Sequence, residues 1–270
     1  MEEKSAGGTT VPTVGFGTYK LSGAECENAV RDALEMGYRH VDTAEFYDNH
    51  GAVGRGIAAA SVARDDVFLT TKVWKTNLEH SRVLQRTHDA LDALDTDYVD
   101  LLLIHWPNES VPIEETIDAM NELQREGAVH AIGVSNFSVA QLEAAREASA
   151  TPIVTNQVEY NPLSPQPDLL EYALDHDVLL TAYSPLGKGD VLQHESVRSI
   201  AADHGTTPAQ VALRWLVQQD PVVAIPKAAN RDHRYENLHV FDFELSNEEM
   251  RALFELSGEV PPSMASRYGQ

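Results

Sequence analysis

The sequence predicts an α/β chain, residues 1–270, folded as one (β/α)8 TIM barrel with an N-terminal β-hairpin and extra helices. Three observations carry this expectation. Short aliphatic and β-branched runs alternate with amphipathic segments of ten or more residues along nearly the whole chain. There are eight such runs, ending at residues 18, 42, 72, 105, 135, 158, 183 and 225. Strict alternation implies a parallel sheet, and eight βα units in about 250 residues imply a closed barrel. An open doubly wound sheet is the competing reading, weakened because no G-x-G-x-x-G leads from a strand into a helix.

Taken in order, residues 1–13 place Gly7-Gly8 between two short β-like pieces and read as a hairpin closing the barrel bottom. The strands are then expected at Val14–Thr18, His40–Asp42, Val67–Lys72, Val99–His105, Ala131–Ser135, Val154–Val158, Leu179–Tyr183 and Val222–Ile225. Helical patterns between them include Ala24–Met36, His80–Leu94, Ile113–Glu126 and Ser138–Ala148. Ser138 with Gln141 has capping-box spacing, and Gly127 follows a helix as a stop. The long seventh interval holds an extra helix near Ser196–His204. Ser246 with Glu249 begins another over Ser246–Leu256, after the eighth unit. No linker, repeat or low-complexity tract divides the chain.

Composition excludes several classes of function. The 270 residues carry 42 Asp and Glu against 20 Lys and Arg, a formal net charge of −22. Nucleic acid and anionic membranes both need a basic face, so neither is an expected partner. Six lysines (4, 20, 72, 75, 188 and 227) stand beside fourteen arginines. Such an acidic, lysine-poor surface suits a salt-rich, halophilic cytoplasm, where a Debye length near 3 Å at 1 M salt mutes self-repulsion. The single cysteine, Cys26, forms no internal disulfide and no C-x-x-C motif, as in an intracellular protein. The start Met1-Glu2-Glu3-Lys4 lacks a secretory pattern and no apolar run reaches about 18 residues, so a soluble, cytoplasmic protein is expected.

In a barrel the chemistry sits where strands emerge at their C-terminal ends. Asp42, Lys72 and His105 end strands 2, 3 and 4, and Tyr47 follows in the loop after strand 2. Singly, three have ordinary alternatives: His105 as a core histidine, Asp42 as a helix cap, Tyr47 as a packing residue. A strand-end lysine is harder to dismiss, because burial without a partner is costly and Asp42 on the neighbouring strand can supply one. Together they form a device in which the Lys72 ammonium favours the Tyr47 phenolate and draws its pKa down, with Asp42 holding the ammonium. His105 then orients a substrate oxygen.

The segments Asp42-Thr43-Ala44-Glu45-Phe46-Tyr47, Thr70-Thr71-Lys72-Val73-Trp74, Leu103-Ile104-His105-Trp106-Pro107, Gly133-Val134-Ser135-Asn136-Phe137, Asn156-Gln157-Val158-Glu159-Tyr160-Asn161-Pro162 and Ala182-Tyr183-Ser184-Pro185-Leu186-Gly187, followed by Ile225-Pro226-Lys227 through Glu236-Asn237, resemble the aldo-keto reductases. The nearest likeness is to the prokaryotic diketogluconate reductase-like group, and it spans essentially the whole chain in order.

The resemblance implies that Asp42, Tyr47, Lys72 and His105 are the catalytic tetrad, with Tyr47 the general acid in reduction. It further implies that Ser135, Asn136 and Gln157 hold the nicotinamide carboxamide, with Ser135 and Asn136 free because Ser138 is the helix cap. Tyr183 would stack on the nicotinamide, and Ser184, Leu186 and Gly187 would lie along the pyrophosphate. Lys227, His233, Glu236 and Asn237 would meet the adenosine end. There the chain departs from the family's pattern: Ala228 stands at a serine position and His233 at an arginine position. Histidine lacks the bidentate, permanent charge of a guanidinium, so grip on a 2′-phosphate weakens unless Arg231 or Arg234 compensates. The implied cofactor is NADPH, with NADH use also expected and no metal.

Tyr19, Trp74 and Trp106 match aromatic positions around a small-molecule carbonyl substrate. The short tail beyond Glu259 implies an abbreviated specificity loop and a permissive pocket. The expected activity is reduction of aldehydes and ketones, keto-sugars or keto-acids among them, by a monomer. Two other functions compete: a nucleotide-binding regulatory barrel with little turnover, and a metal-dependent hydrolase using His40, Asp42 and His105. The second lacks the further histidines and bridging carboxylate such sites need.

Overall fold

The structure is a computed structural model that describes residues 2–258 and 261–268. The chain opens with an antiparallel hairpin, β1 (Glu3–Ala6) and β2 (Thr9–Pro12), turned by Gly7 and Gly8 at φ of 56° and 77°. Two consecutive positive φ angles define the hairpin turn that matches strand twist, and glycine adopts them without a Cβ penalty.

Eight parallel strands follow: β3 (Phe16–Gly17), β4 (His40–Asp42), β5 (Phe68–Val73), β6 (Val99–Ile104), β7 (Val129–Ser135), β8 (Ile153–Glu159), β9 (Leu179–Tyr183) and β10 (Val222–Ala224). They pair in sequence order, and the ring closes where Val14 bridges Ala224 in parallel. Backbone bonds from Gly15 N–H to the Ala224 carbonyl (2.8 Å) and from Gly17 N–H to the Pro226 carbonyl (3.1 Å) complete the seam. Closure rules out the open sheet. The first strand is shorter than the expected Val14–Thr18, because its lower half is held by that seam and not by a regular ladder.

Helices cover the outside. Gly23–Met36, His80–Leu94, Ile113–Glu126 and Val139–Ala148 lie where periodicity puts them, and Ser138 and Gln141 form the reciprocal capping box. Further helices occupy His50–Ala58, Pro167–Asp175, Pro208–Val217 and Arg231–Leu238. The extra helices are Glu195–His204 and Asn247–Phe254, the latter capped by Ser246 with Glu249. Part of the tail, residues 259–260 and 269–270, lies outside the described residues, as does Met1. Between those stretches Pro262–Tyr268 is a helix whose Tyr268 stacks on Phe254 and whose Ser263 N–H bonds Glu171.

The interior is layered by strand alternation. Inward side chains recur every second residue, so 101, 103 and 105 share one face of β6 and its exit, as do 68, 70 and 72 on β5, and 40 and 42 on β4. At the bottom, Ala6 and Val11 of the hairpin pack with Leu101, Leu103, Ala131, Val154, Leu179 and Val223, which plugs the barrel. Above them His40 bonds Thr70 (3.1 Å) and Thr155 bonds Thr181 (2.8 Å). The topmost layer contains Asp42, Lys72 and Gln157, so the alternation that buries the core delivers the polar groups to the upper rim.

Candidate active site

The ends of β4, β5 and β6 bring Asp42, Lys72 and His105 together, and the 3-10 turn Glu45–Tyr47 folds Tyr47 over them. Two clamps fix that turn. The Glu45 carboxylate accepts from the Trp74 N–H (2.8 Å), the Asn77 amide (2.7 Å) and Arg86 Nε (2.6 Å). On the other side buried Asn49 donates to the carbonyls of Thr18 and Leu21 and accepts from Thr43. The Tyr47 phenol is therefore held by rigid neighbours although it lies outside a strand.

Lys72 is fully buried, and its ammonium has three acceptors: Asp42 Oδ1 at 2.5 Å, the Thr43 carbonyl at 2.9 Å and the Tyr47 hydroxyl at 3.3 Å. The second Asp42 oxygen accepts from the Gln157 amide at 2.8 Å. Burial alone would lower the Lys72 pKa, but Asp42 and then Tyr47 outweigh it and hold it above the usual value.

The phenol corrects an expectation. Burial pushes the Tyr47 pKa up, and the adjacent Lys72 opposes that shift without overcoming it. The ammonium thus limits a burial penalty; it does not turn the phenol into a stronger acid than ordinary tyrosine.

His105 presents its ring edge-on to Tyr47, with centroids 5.7 Å apart, and to Trp74 at 5.1 Å. Burial, then Lys72, holds its pKa down to about 3, so the ring is neutral. Burial likewise lowers His40 and His50 to about 4. All three folded values lie below the unfolded value of about 6.5, so the unfolded chain takes up protons first as pH falls. Folding stability should therefore be intact above about pH 6.5. It should decline towards pH 4, each imidazole adding a slope of up to about 1.4 kcal/mol per pH unit. Chemical denaturation at stepped pH checks this; stability that is flat or rising from pH 6.5 to pH 4 would contradict it.

These groups open into a cleft of about 540 Å3. Its wall includes Asp42, Tyr47, His105, Asn136, Gln157, Tyr183, Ser184, Leu186 and Lys227, and the aromatics Tyr19, Trp74 and Trp106 stand at its mouth. A residue the sequence reading passed over joins them: half-exposed Phe46 stacks on Trp74 with centroids 4.2 Å apart. Its position one residue before Tyr47 was the available signal. The described part of the tail contributes nothing to this wall.

The structure withholds two of the expected ligands. Ser135 is not free: its hydroxyl donates to the Gln157 carbonyl (2.7 Å), accepts from the Asn136 amide (3.0 Å), and lies behind the wall. Gly187 also lies off the wall, where its φ of 55° turns the loop after Ser184. Asn136, itself left-handed at φ 63°, does reach the cleft, but its amide is engaged. It donates to the His105 carbonyl (3.0 Å) and accepts from the Tyr183 hydroxyl (2.9 Å).

A second cavity of about 370 Å3 adjoins the cleft, sharing Leu186, Leu192 and Lys227 with it, and contains His233, Glu236 and Asn237. Arg234 is not available to it. Its side chain is buried and bound to Asp32 (2.5 Å) and to the carbonyls of Ala228 and Ala229, as a clamp on the helix Arg231–Leu238. Arg231 leans on the same Asp32 at 3.2 Å.

With this geometry in place, three comparisons bear on identity. The chain is 41% identical over 252 residues to the 9,11-endoperoxide prostaglandin H2 reductase of Trypanosoma cruzi, covering 92% of this chain and 88% of that one. It is 39% identical over 246 residues to the methylglyoxal reductase DkgB of Escherichia coli O157:H7, covering 90% and 92%. The crystal structure of the thermostable aldo-keto reductase Tm1743, complexed with the inhibitor epalrestat, superposes with a TM-score of 0.90 at 40% identity, covering 95% of this chain and all of that one. The sequence profile of the aldo/keto reductase family matches residues 13–257, and the chain belongs to that family of carbonyl-reducing oxidoreductases.

Proposed function

We propose that the protein reduces aldehydes and small ketones with NADPH as principal cofactor and substantial use of NADH, with Tyr47 as the proton donor. The observation carrying this reading is the buried Asp42–Lys72–Tyr47 chain, which opens beside a neutral His105 into an aromatic-walled cleft.

The cleft and the second cavity share Leu186, Leu192 and Lys227, so an extended dinucleotide would lie across both. Tyr183 lies at one end, and the residues around Lys227 lie at the other. Gln157 and Asn136 would hold the nicotinamide carboxamide, Asn136 by exchanging one of its present partners. Tyr183 would stack on the ring, Ser184 and Leu186 would line the pyrophosphate, and Lys227, His233, Glu236 and Asn237 would meet the adenosine. Ser135 contributes indirectly, by steadying Asn136. When bound, the nicotinamide supplies a hydride to the carbonyl carbon.

The chain's own residues do the rest. The neutral His105 ring donates to the carbonyl oxygen and orients it, Tyr47 passes its phenolic proton to that oxygen, and Lys72 stabilises the phenolate left behind. Tyr19, Phe46, Trp74 and Trp106 exclude water and accept apolar or flat substrates. Substrates of the size of glyoxal and methylglyoxal, or keto-sugars and keto-acids, suit this mouth.

A carbonyl panel with NADPH and NADH, followed by cofactor absorbance, tests the reading. Both cofactors should be consumed with aldehydes, and NADPH should be preferred by less than about a thousandfold, roughly 4 kcal/mol. Absence of turnover with either would overturn it. We propose further that the protein works as a monomer in a salt-rich cytoplasm. Molar KCl should then raise Tm and activity by screening the net charge of −22. Values unchanged between low and molar KCl would refute that.

A further inference from the structure

The cavity beside Lys227 is walled by a cation that no part of the Lys227–Asn237 segment supplies. Arg198, on the helix Glu195–His204, lies on its wall with Lys227 and His233. Its Nε donates to the Leu192 carbonyl at 3.1 Å, and its guanidinium also bonds the Gln193 side chain. Leu192 and Gln193 belong to the same wall, so the arginine is anchored at the cavity by the loop that frames it.

Among the described residues no carboxylate pairs with Arg198, Lys227 or His233, in a chain with 42 acidic residues and 20 basic ones. Arg198 and Lys227 thus stand on one wall of the cavity as two cations without a carboxylate partner, an arrangement that can receive an anion. Glu236, the one carboxylate on the wall, follows His233 by three residues along its helix. The two arginines nearest in sequence, Arg231 and Arg234, are committed to Asp32.

We propose that Arg198 is the specificity-determining cation for a 2′-phosphorylated adenosine. It would replace, from a different helix, the guanidinium that His233 cannot provide. The proposal rests on the NADPH reading above. A planar guanidinium fixed along one edge keeps the other for a phosphate, where histidine offers a single donor. Arg198 thus accounts for a preference for NADPH despite Ala228 and His233.

The test is equilibrium binding without any carbonyl substrate, using NADPH and NADH by fluorescence and 2′,5′-ADP and 5′-AMP by competition. Wild type, Arg198→Ala and Arg198→Lys should be compared, with melting curves to show that each is folded. We expect Arg198→Ala to weaken NADPH and 2′,5′-ADP at least about tenfold. NADH and 5′-AMP should change less than about twofold, and Arg198→Lys should recover part of the loss. Equal losses for both pairs would assign Arg198 a structural role and overturn the proposal. Unchanged NADPH and 2′,5′-ADP binding in Arg198→Ala would overturn it while leaving the NADPH reading intact. Failure of wild type to bind 2′,5′-ADP would overturn the adenosine-site reading as well.

Discussion

Replacing Tyr47 by phenylalanine is expected to lower kcat for carbonyl reduction by about 10²- to 10⁴-fold, the usual contribution of a positioned general acid, while NADPH binding changes less than about twofold. The hydroxyl carries the hydrogen bond to Lys72 (3.3 Å), whereas the ring, with its centroid 5.0 Å from the ammonium, stays packed between Tyr19 and His105 without it. Phenylalanine therefore keeps the wall of the cleft and removes the proton. Stopped-flow turnover and fluorescence titration separate the two effects. Loss of both turnover and cofactor binding would make Tyr47 a structural residue, and loss of neither would remove it from the chemistry.

The second large effect is on stability. Lys72→Met leaves the Asp42 carboxylate buried, with the Gln157 amide as its remaining side-chain partner. Stranding one member of a buried pair costs about 3–5 kcal/mol, which for a chain of this size lowers Tm by roughly 6–20 °C. Adding Asp42→Asn removes the stranded charge and should restore part of that loss. Calorimetry of the wild type, the single and the double variant measures this. A Lys72→Met protein as stable as wild type would mean that the ammonium contributes nothing net to the fold.

What the sequence made legible is tied to periodicity. Strands β4 and β9 fall where the apolar runs stop, because a strand covered on both faces is apolar along its length and ends abruptly at the polar rim. The same rule delivers Asp42, Lys72 and His105 to one layer. The site was less legible wherever the outcome depends on partners far apart in sequence. Arg234 is committed to Asp32, 202 residues away, and the Asn136 amide to Tyr183, 47 residues on. Ser135 was expected to be free because Ser138 caps the helix, yet the partner that engages it is a carbonyl on the adjacent strand. Nothing in the pattern around residue 198 places the helix of Arg198 on one cavity wall with Lys227 and His233. The sign of the Tyr47 shift was missed for a related reason: the Lys72 charge is visible in the sequence, but the depth of burial that outweighs it exists only in the fold.

That last point sets the decisive experiment, the pH dependence of kcat for aldehyde reduction under saturating cofactor. With burial holding the phenol above the ordinary tyrosine value of about 10 and His105 neutral down to about 3, the rate should stay level from about pH 6 to pH 9. It should fall only on the alkaline side, as Tyr47 loses the proton it must donate. An alkaline limb centred near pH 7 would mean that Lys72 does acidify the phenol, or that another group supplies the proton, and would contradict this account.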